Sequence, residues 1–375
     1  MKMKVALVCD WLTNVGGAEK VLLEMHRLFP DAPIYTSKYD PKGIDWFKDA
    51  DVRTGWLQKY PTAWRRAMGP FRQRYFSHLN LSEYDLVISV TGAEAKAVKV
   101  PNGIHISYCH VPTQYYWQMY DDYVKNPGFG FLNPLVRFFF RIMVKPLKRA
   151  DLKAARKVDY FVTISEYAKD LIKKCYGREA TIIHPPVEVK DFAKACGKPV
   201  ENFYIVTSRQ VTWKRIDLAI RACKMTQRHL VVIGEGPEHK KLVKLAKGEN
   251  KINFLPLMKK DELAKNVAKA KGYLFPSMEP FGIAPVEALA AGCPVIAFKE
   301  GGAKDYVKDG KNGLLFNEQT AKSLAEAILQ FEKMKKFDRK KVSKTSEKFA
   351  TERFDKEVLD FVKKCEKKHA KKNKK

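Results

Sequence analysis

Short apolar runs alternate with polar and amphipathic stretches along nearly the whole chain, and the pattern is played through twice. In the first half the runs are Val5–Cys9, Leu86–Val90, His105–Cys109, Tyr160–Ile164 and Thr181–His184, each followed by a Gly- or Ser-containing turn or a polar stretch. In the second half they are Phe203–Thr207, Leu230–Ile233, Ile252–Leu255, Tyr273–Phe275, Val295–Phe298 and Leu314–Phe316. Runs this short and this apolar read as strands buried on both faces. Between them Ile216–Met225, Glu238–Ala246 and Asp261–Ala270 read as amphipathic helices and Val21–Phe29 as an apolar one, and Lys322–Lys333 closes the second half. Strict alternation of this kind predicts an α/β protein of two doubly wound units with parallel sheets.

At 375 residues the chain exceeds the size at which a single core keeps growing, which also argues for two domains. Prolines and charges interrupt the alternation between His184 and Asn202, so the expected boundaries are 1–190 and 200–340, followed by a segment 341–375. That last segment reads as a polar helix ending in a lysine-rich, frayed tail. A content of 45% hydrophobic and 12% aromatic residues excludes a largely disordered chain. No apolar run approaches membrane-spanning length, and Met1-Lys-Met-Lys runs straight into the first strand without a signal-peptide pattern. Seven scattered cysteines lack metal or disulfide spacing and suit free thiols in a reducing cytoplasm.

The charge changes the picture. Seventy basic against 42 acidic residues give a formal net charge of +28, which argues for an anionic partner without saying which. RNP aromatics, Cys/His fingers and a recognition helix are all missing from the sequence, so nucleic acid is not expected. Two basic stretches carry unusual numbers of large apolar residues: 131–149, with Arg137, Arg141, Lys145, Lys148 and Arg149, and 64–76. Each reads either as an element lying in the surface of an anionic membrane or as a helix packed inside; the composition leaves both open.

The most informative segment runs from Ser277 to Phe298. Pro276, Pro280 and Gly282 break the strand ending at Phe275, Pro285 fits a first helical position, and Gly292 fits the C-cap. Glu279 then lies in a loop and Glu287 in the first helical turn. Between them the Phe281–Ala284 backbone, with Gly282, Ile283 and Ala284, presents the N–H groups of a helix N-terminus, which is an anion site. Carboxylates on both sides of an anion cradle suit a nucleotide sugar. Neither Glu is diagnostic alone, because the macrodipole favours a Glu in a first turn and loop Glu residues are ordinarily just solvated.

With Pro-Phe-Gly between the two and Ala-Gly-Cys-Pro-Val after them, the segment resembles the Glu-x7-Glu signature of retaining glycosyltransferases of family 4. The resemblance covers nearly the whole chain. It implies the GT-B fold, two facing Rossmann-like units with the site in the cleft between them, and a last helix (342–364) folded back on the first domain. It implies that Glu287 binds the ribose and Glu279 a hydroxyl of the donor sugar.

Other stretches fit the same family. Gly16 and Gly17, after the first strand, resemble its Gly-Gly-Ala-Glu loop at the donor phosphates or the acceptor. In Ser208-Arg-Gln-Val-Thr-Trp-Lys-Arg-Ile-Asp217, Arg209 and Lys214 stand at a strand–helix turn, where two cations would neutralise a leaving diphosphate. The family pattern is Gly-Arg-x-x-x-x-Lys-Gly, from which Ser208 and Arg215 depart; Asp217 fits a helix-stabilising or Lys-orienting role.

His110 ends a strand and is placed to hydrogen-bond a sugar. On the acceptor side Tyr115, Tyr116 and Trp117 suit a stacking wall. This stretch resembles a segment of bacterial mannosyltransferases that build polysaccharide, and Ser165 a strand end on the acceptor side. The expected activity is therefore transfer of mannose from GDP-mannose to a polyprenyl-linked or growing glycan. A UDP-sugar donor and a non-catalytic membrane- or glycan-binding protein are the alternatives. The one Asp-x-Asp, at Asp49 and Asp51, lies far in sequence from these motifs, so no metal and no cofactor is expected. The expected location is the cytoplasm or the inner face of the plasma membrane. Gly301, Gly302 and the 309–316 turn read as scaffold.

Overall fold

The computed structural model describes residues 3–62, 64, 68–125, 130 and 133–373. Of the stretches singled out above, Arg65, Arg66, Ala67, Phe131, Leu132, Lys374 and Lys375 lie outside the described residues. The first elements are β1 (Val5–Cys9), α1 (Gly17–Leu28), β2 (Ile34–Thr36), β3 (Val52–Arg53), α2 (Gly69–His78), β4 (Leu86–Thr91), β5 (Ile104–Cys109), α3 (Tyr120–Lys125), α4 (Asn133–Lys157), β6 (Tyr160–Thr163), α5 (Glu166–Tyr176) and β7 (Ala180–Ile182). There follow α6 (Val189–Ala193), β8 (Tyr204–Thr207), α7 (Ile216–Thr226), β9 (Leu230–Ile233), α8 (His239–Ala246), β10 (Ile252–Leu255), α9 (Lys260–Lys269) and β11 (Gly272–Phe275). The chain ends with α10 (Ile283–Ala290), β12 (Val295–Phe298), α11 (Ala303–Tyr306), β13 (Gly313–Phe316), α12 (Ala321–Lys333), α13 (Arg339–Lys344) and α14 (Thr351–Asn373).

Two compact units result, one of Met1–His184 with Asp355–Lys375, the other of Pro185–Phe354. The chain passes between them at His184 and again at Asp355, inside α14, rather than near 340, because α13 packs on α10 of the second unit. The lysine-rich end continues α14 to Asn373 instead of fraying after about 367.

In the first unit seven strands run in the order β3-β2-β1-β4-β5-β6-β7, with every pairing parallel. In the second, six run β10-β9-β8-β11-β12-β13, again all parallel. Both are doubly wound, and in each the strand order reverses beside the first strand of the unit, between β1 and β4 and between β8 and β11. Loops leaving the carboxyl ends of those strand pairs are where open α/β sheets place their ligands. β2 and β3 had no counterpart in the sequence pattern. They are three and two residues long, too short to show a period.

The second unit is held by one large apolar core in which α7, α8 and α12 cover β8, β9 and β13 through Tyr204, Val232, Ile220, Leu242, Leu324 and Phe331. The first unit holds smaller apolar clusters and, beside them, a buried polar web. Asp10, just after β1, accepts hydrogen bonds from Thr91 Oγ1 at 2.9 Å, Gly92 N at 3.0 Å and Ala95 N at 2.8 Å. Glu94 is paired with Arg72 Nε of α2 at 2.9 Å and accepts from the hydroxyls of Tyr115 and Tyr116. Lys96 Nζ reaches Asp151 of α4 at 2.6 Å, and Asp151 also accepts from Thr113, Trp117 and Tyr176. All five charged side chains are buried.

Burial alone would depress Lys96, but the Asp151 carboxylate and its other partners outweigh it and hold the ammonium above its ordinary value. Burial raises Asp10 as well, partly offset by its backbone donors. A buried pair whose partner is removed leaves an uncompensated charge, which typically costs about 3–5 kcal/mol. Lys96→Met is therefore expected to lower unfolding free energy by about that amount. Urea denaturation at neutral pH reads it out, and a loss below about 1 kcal/mol would show that water reaches Asp151.

Candidate functional site

The site is built where the second sheet reverses. The 3₁₀ turn Thr212–Lys214 after β8 and the loop after β11 emerge side by side, and Lys214 Nζ meets the Glu279 carboxylate at 2.6 Å. Both side chains are only partly covered, at 24% and 17% exposure. Ser277 Oγ donates to the second Glu279 oxygen at 2.8 Å, which fixes the carboxylate's plane. Arg209, exposed, lies over the half-exposed Trp213 ring with its guanidinium carbon 5.7 Å from the centroid. A planar cation stacked on an indole keeps its outer N–H donors available to an anion.

Beyond Glu279 the chain turns through Pro280, Phe281 and Gly282 into α10, whose first residues Ile283 and Ala284 are partly exposed together with Gly282 and, one turn on, Glu287. The helix starts two residues before Pro285, which sits third; its missing N–H is harmless there for the reason that holds at the first position. Glu287 consequently lies one residue beyond the first turn. Gly292, at φ +78°, ends the helix with its N–H on Leu289 O, and Cys293 N bonds back to Ala288 O.

Gly282 has no permissible substitute: at φ +94°, a Cβ would stand 2.7 Å from the Phe275 ring and 2.8 Å from Tyr306 Oη. Tyr306 in turn donates to Phe281 O at 2.8 Å. Gly301 and Gly302 do more than turn the chain. Cβ atoms there would lie 2.5 Å from Glu279 O and 2.4 Å from Pro280 O, and Gly302 N donates to Glu279 O at 2.8 Å. This glycine pair clamps the backbone that carries Glu279.

Two further residues were missed. Gln210, buried between Arg209 and Val211, donates to Gly234 O, and its carbonyl oxygen lies 2.8 Å from His239 Nδ1. Gly234 and Gly236, at φ +123° and +157°, let the loop after β9 close on the backbone of Ser208 and Gln210. The glycine–charge–glycine spacing at 234–236 after a strand was the available signal. Tyr273, buried in β11, donates to Thr207 O and ties the two strand ends together.

Asp217 does not orient Lys214: both its oxygens are 3.1 Å from the Arg215 guanidinium, and Lys214's partner is Glu279. The reason is local, since Arg215 adopts φ +51° and turns back over the helix start.

In the first unit Gly16 is the N-cap of α1 and Gly17 its first residue, four positions ahead of the expected start, because Ala18-Glu19-Lys20 are good helix formers. A Cβ on Gly16 would meet Glu19 Oε2 at 2.7 Å. His110 follows β5, stacked edge-on against Tyr108, and its Nε2 is buried with no hydrogen-bond partner among the described residues. Burial pulls its pKa down to about 4, so the ring is neutral at pH 7.

The expected aromatic wall is different. Tyr116 is fully buried with its hydroxyl on Glu94, Tyr115 is held by Glu94 and Arg72, and Trp117 donates to Asp151 at 2.8 Å. Ser165, fully buried, caps α5 by accepting from Ala168 N at 3.1 Å. These four side chains serve the polar web and a helix cap, because each carries a polar tip that satisfies a buried partner. Asp51 is engaged by Arg53 at 2.7 Å.

Two doubly wound parallel units with this strand order are those of the GT-B glycosyltransferase fold, and solved structures of that fold cover the chain: Anabaena HepE in complex with UDP-glucose aligns over 96% of it and 100% of its own length, with a TM-score of 0.66 and 19% identity. Residues 189–349, most of the second unit, match the family Glycosyl transferases group 1. An uncharacterised glycosyltransferase of Methanocaldococcus jannaschii is 31% identical over 180 residues, 47% of this chain and 50% of that protein. An alpha-1,3/1,6-mannosyltransferase of Schizosaccharomyces pombe is 23% identical over 84% of this chain and 70% of its own. The chain spans only about half the length of the first curated relatives it matches.

Two outcomes follow from this geometry. Gly282→Ala forces a side chain into a left-handed position and against two rings, so a loss of about 1–3 kcal/mol is expected in thermal or urea unfolding; an unchanged midpoint would mean the loop relaxes freely. The unfolded chain takes up the His110 proton from about pH 6.5 downward, whereas the native state resists until about pH 4. That contribution is therefore fully present above the upper value and lost as the pH falls through this window. His110→Gln should flatten this part of the decline, measured by urea midpoints at pH 7 and about pH 4.5.

Proposed function

We propose that the protein is a retaining glycosyltransferase that moves mannose from GDP-mannose to a polyprenyl-linked or growing glycan. One observation carries the reading: Arg209 and the Glu279-paired Lys214 stand on the loop after β8, beside the strand end that feeds the N-terminus of α10. Two cations and a helix N-terminus are what a departing nucleoside diphosphate requires. In the proposed reaction the bond between the sugar's C1 and the diphosphate oxygen breaks with its electron pair leaving on the diphosphate. The acceptor hydroxyl bonds to C1 on the same face and passes its proton to the leaving oxygen.

Arg209, Lys214 and the amides of Gly282, Ile283 and Ala284 receive the growing charge; Glu279 accepts from a sugar hydroxyl and Glu287 from the ribose. Gly16 and Gly17 at the start of α1 belong to the same proposal, as does His110, whose neutral ring with an unengaged Nε2 suits a hydrogen bond to a sugar hydroxyl. Mannose is favoured because a relative matched over most of the chain is named a mannosyltransferase. A UDP-hexose donor is the second reading, favoured by a neighbour of like fold that holds UDP-glucose.

Arg209→Ala and Lys214→Ala should each weaken binding of the nucleoside diphosphate by roughly ten- to a hundredfold, the loss of one charge-assisted partner at about 1.5–3 kcal/mol. Stability should change little, because both side chains are partly exposed. Calorimetry with GDP and UDP, followed by hydrolysis of GDP-mannose, GDP-fucose, UDP-glucose and UDP-GlcNAc, tests the role and the donor together. Wild-type affinity in both variants would sink the assignment.

A further inference from the structure

α4 is apolar on two opposite sides. Val144, Leu147, Asp151, Ala154 and Ala155 are its buried residues, all from the middle of the helix onward. At about 100° per residue these make one stripe, and Leu135, Phe138, Phe139 and Ile142 make a second stripe roughly opposite. The second stripe faces solvent: the four side chains are 55%, 59%, 55% and 55% exposed. Isolated exposed apolar residues need no explanation, but a contiguous patch of this kind marks an interaction surface. Its position is fixed. Arg137 donates to the carbonyls of Val124 and Lys125, and Phe140 packs against Tyr120, so the projecting turns are anchored to α3.

What covers the patch is decided by charge. Arg141, Lys145 and Arg149 are exposed and spaced four apart, forming a cationic stripe along one edge of the apolar one. The helix's one acidic residue, Asp151, is buried in the web. A two-fold contact with a second copy would set cationic stripe against cationic stripe with no carboxylate on this helix to meet either. An apolar face edged with cations matches the boundary between acyl chains and anionic headgroups. α2 packs against α4 and brings a second exposed cluster, Phe71 with Trp56, Tyr60 and Trp64, whose rings touch one another. Trp and Tyr are enriched at membrane interfaces because one side of the ring is apolar and the tip is polar.

We propose that the solvent face of α4 docks the protein on an anionic lipid surface, with Leu135, Phe138, Phe139 and Ile142 at the acyl boundary and Arg141, Lys145 and Arg149 on the headgroups. This deepens the reading above, and only the inference that the surface presents a lipid-linked acceptor rests on it.

The full chain is sedimented with vesicles of phosphatidylglycerol and phosphatidylcholine, or of phosphatidylcholine alone, at low and high salt. Wild type should pellet with the anionic vesicles at low salt and stay free with the neutral ones. Arg141→Glu/Lys145→Glu/Arg149→Glu should weaken partitioning by about a hundredfold or more. Phe138→Ser/Phe139→Ser/Ile142→Ser should abolish the binding that survives high salt. Both sets of positions are exposed, so circular dichroism and donor hydrolysis should match wild type. Absence of binding to anionic vesicles at low salt, or wild-type binding by both triple variants, overturns the proposal. So does a dimer in sedimentation equilibrium that the serine variant dissociates. Vesicle binding by a wild type that turns over no donor supports docking and overturns the transferase reading instead.

Discussion

A parallel sheet that reverses its strand order leaves two carboxyl ends side by side with nothing between them, and both units of this protein are organised around bridging that gap. In the first, the Asp10 carboxylate after β1 reaches across to Thr91, Gly92 and Ala95 after β4. In the second, Lys214 after β8 meets Glu279 after β11. The topology is the same and the chemistry is opposite. Asp10 is buried and saturated by donors, so it closes its gap as structure. Lys214 and Glu279 are partly exposed, and a pair in that setting contributes little to stability. Such a pair can be opened by a ligand carrying stronger charges, which is why the diphosphate is proposed to bind at the second reversal point, while Asp10 closes the first as a joint.

The closed joint has consequences farther out. The five buried charges of this web are tolerable only because every one is paired or hydrogen-bonded, and the pairing draws together three strand ends and three helices. Asp151 is the anchor of α4 in that web. Rigid fixation of the carboxyl-terminal half leaves the first turns of α4 free to carry a face with no partner among the described residues, at no cost to the core. Tyr115, Tyr116 and Trp117 are held in the same way. Their aromatic bodies pack while their polar tips bond inward.

Much of this was legible in the residues. Val5–Cys9, Leu230–Ile233 and Val295–Phe298 are strands to the residue, since doubly covered parallel strands are uninterrupted apolar runs, and so is Ile252–Leu255, an edge strand interrupted by the exposed Asn253. The Glu279–Glu287 segment was legible because prolines and glycines punctuate it. β2 and β3 were not, being too short for a period, and neither was the burial of Tyr116 and Ser165. A polar-tipped side chain in a loop reads alike whether it faces a ligand or a buried carboxylate. Only the three-dimensional neighbours Glu94 and Ala168, distant or silent in the pattern, decide it.

Gly282, Gly301 and Gly302 show the same limit from the other side. As letters they are turns; in space they are the places where backbone passes so close to backbone or ring that a methyl group would displace Glu279. The position of the carboxylate that pairs with Lys214 is thus set by atoms that glycine lacks, and Tyr306 and Ser277 then fix the loop and the carboxylate plane. Preorganisation of this sort leaves little rearrangement for binding to drive, so the charges proposed to meet a diphosphate stand in place beforehand. The structural effort at the second reversal point therefore goes into holding Glu279 rather than into burying it, and that distinguishes a site from a joint.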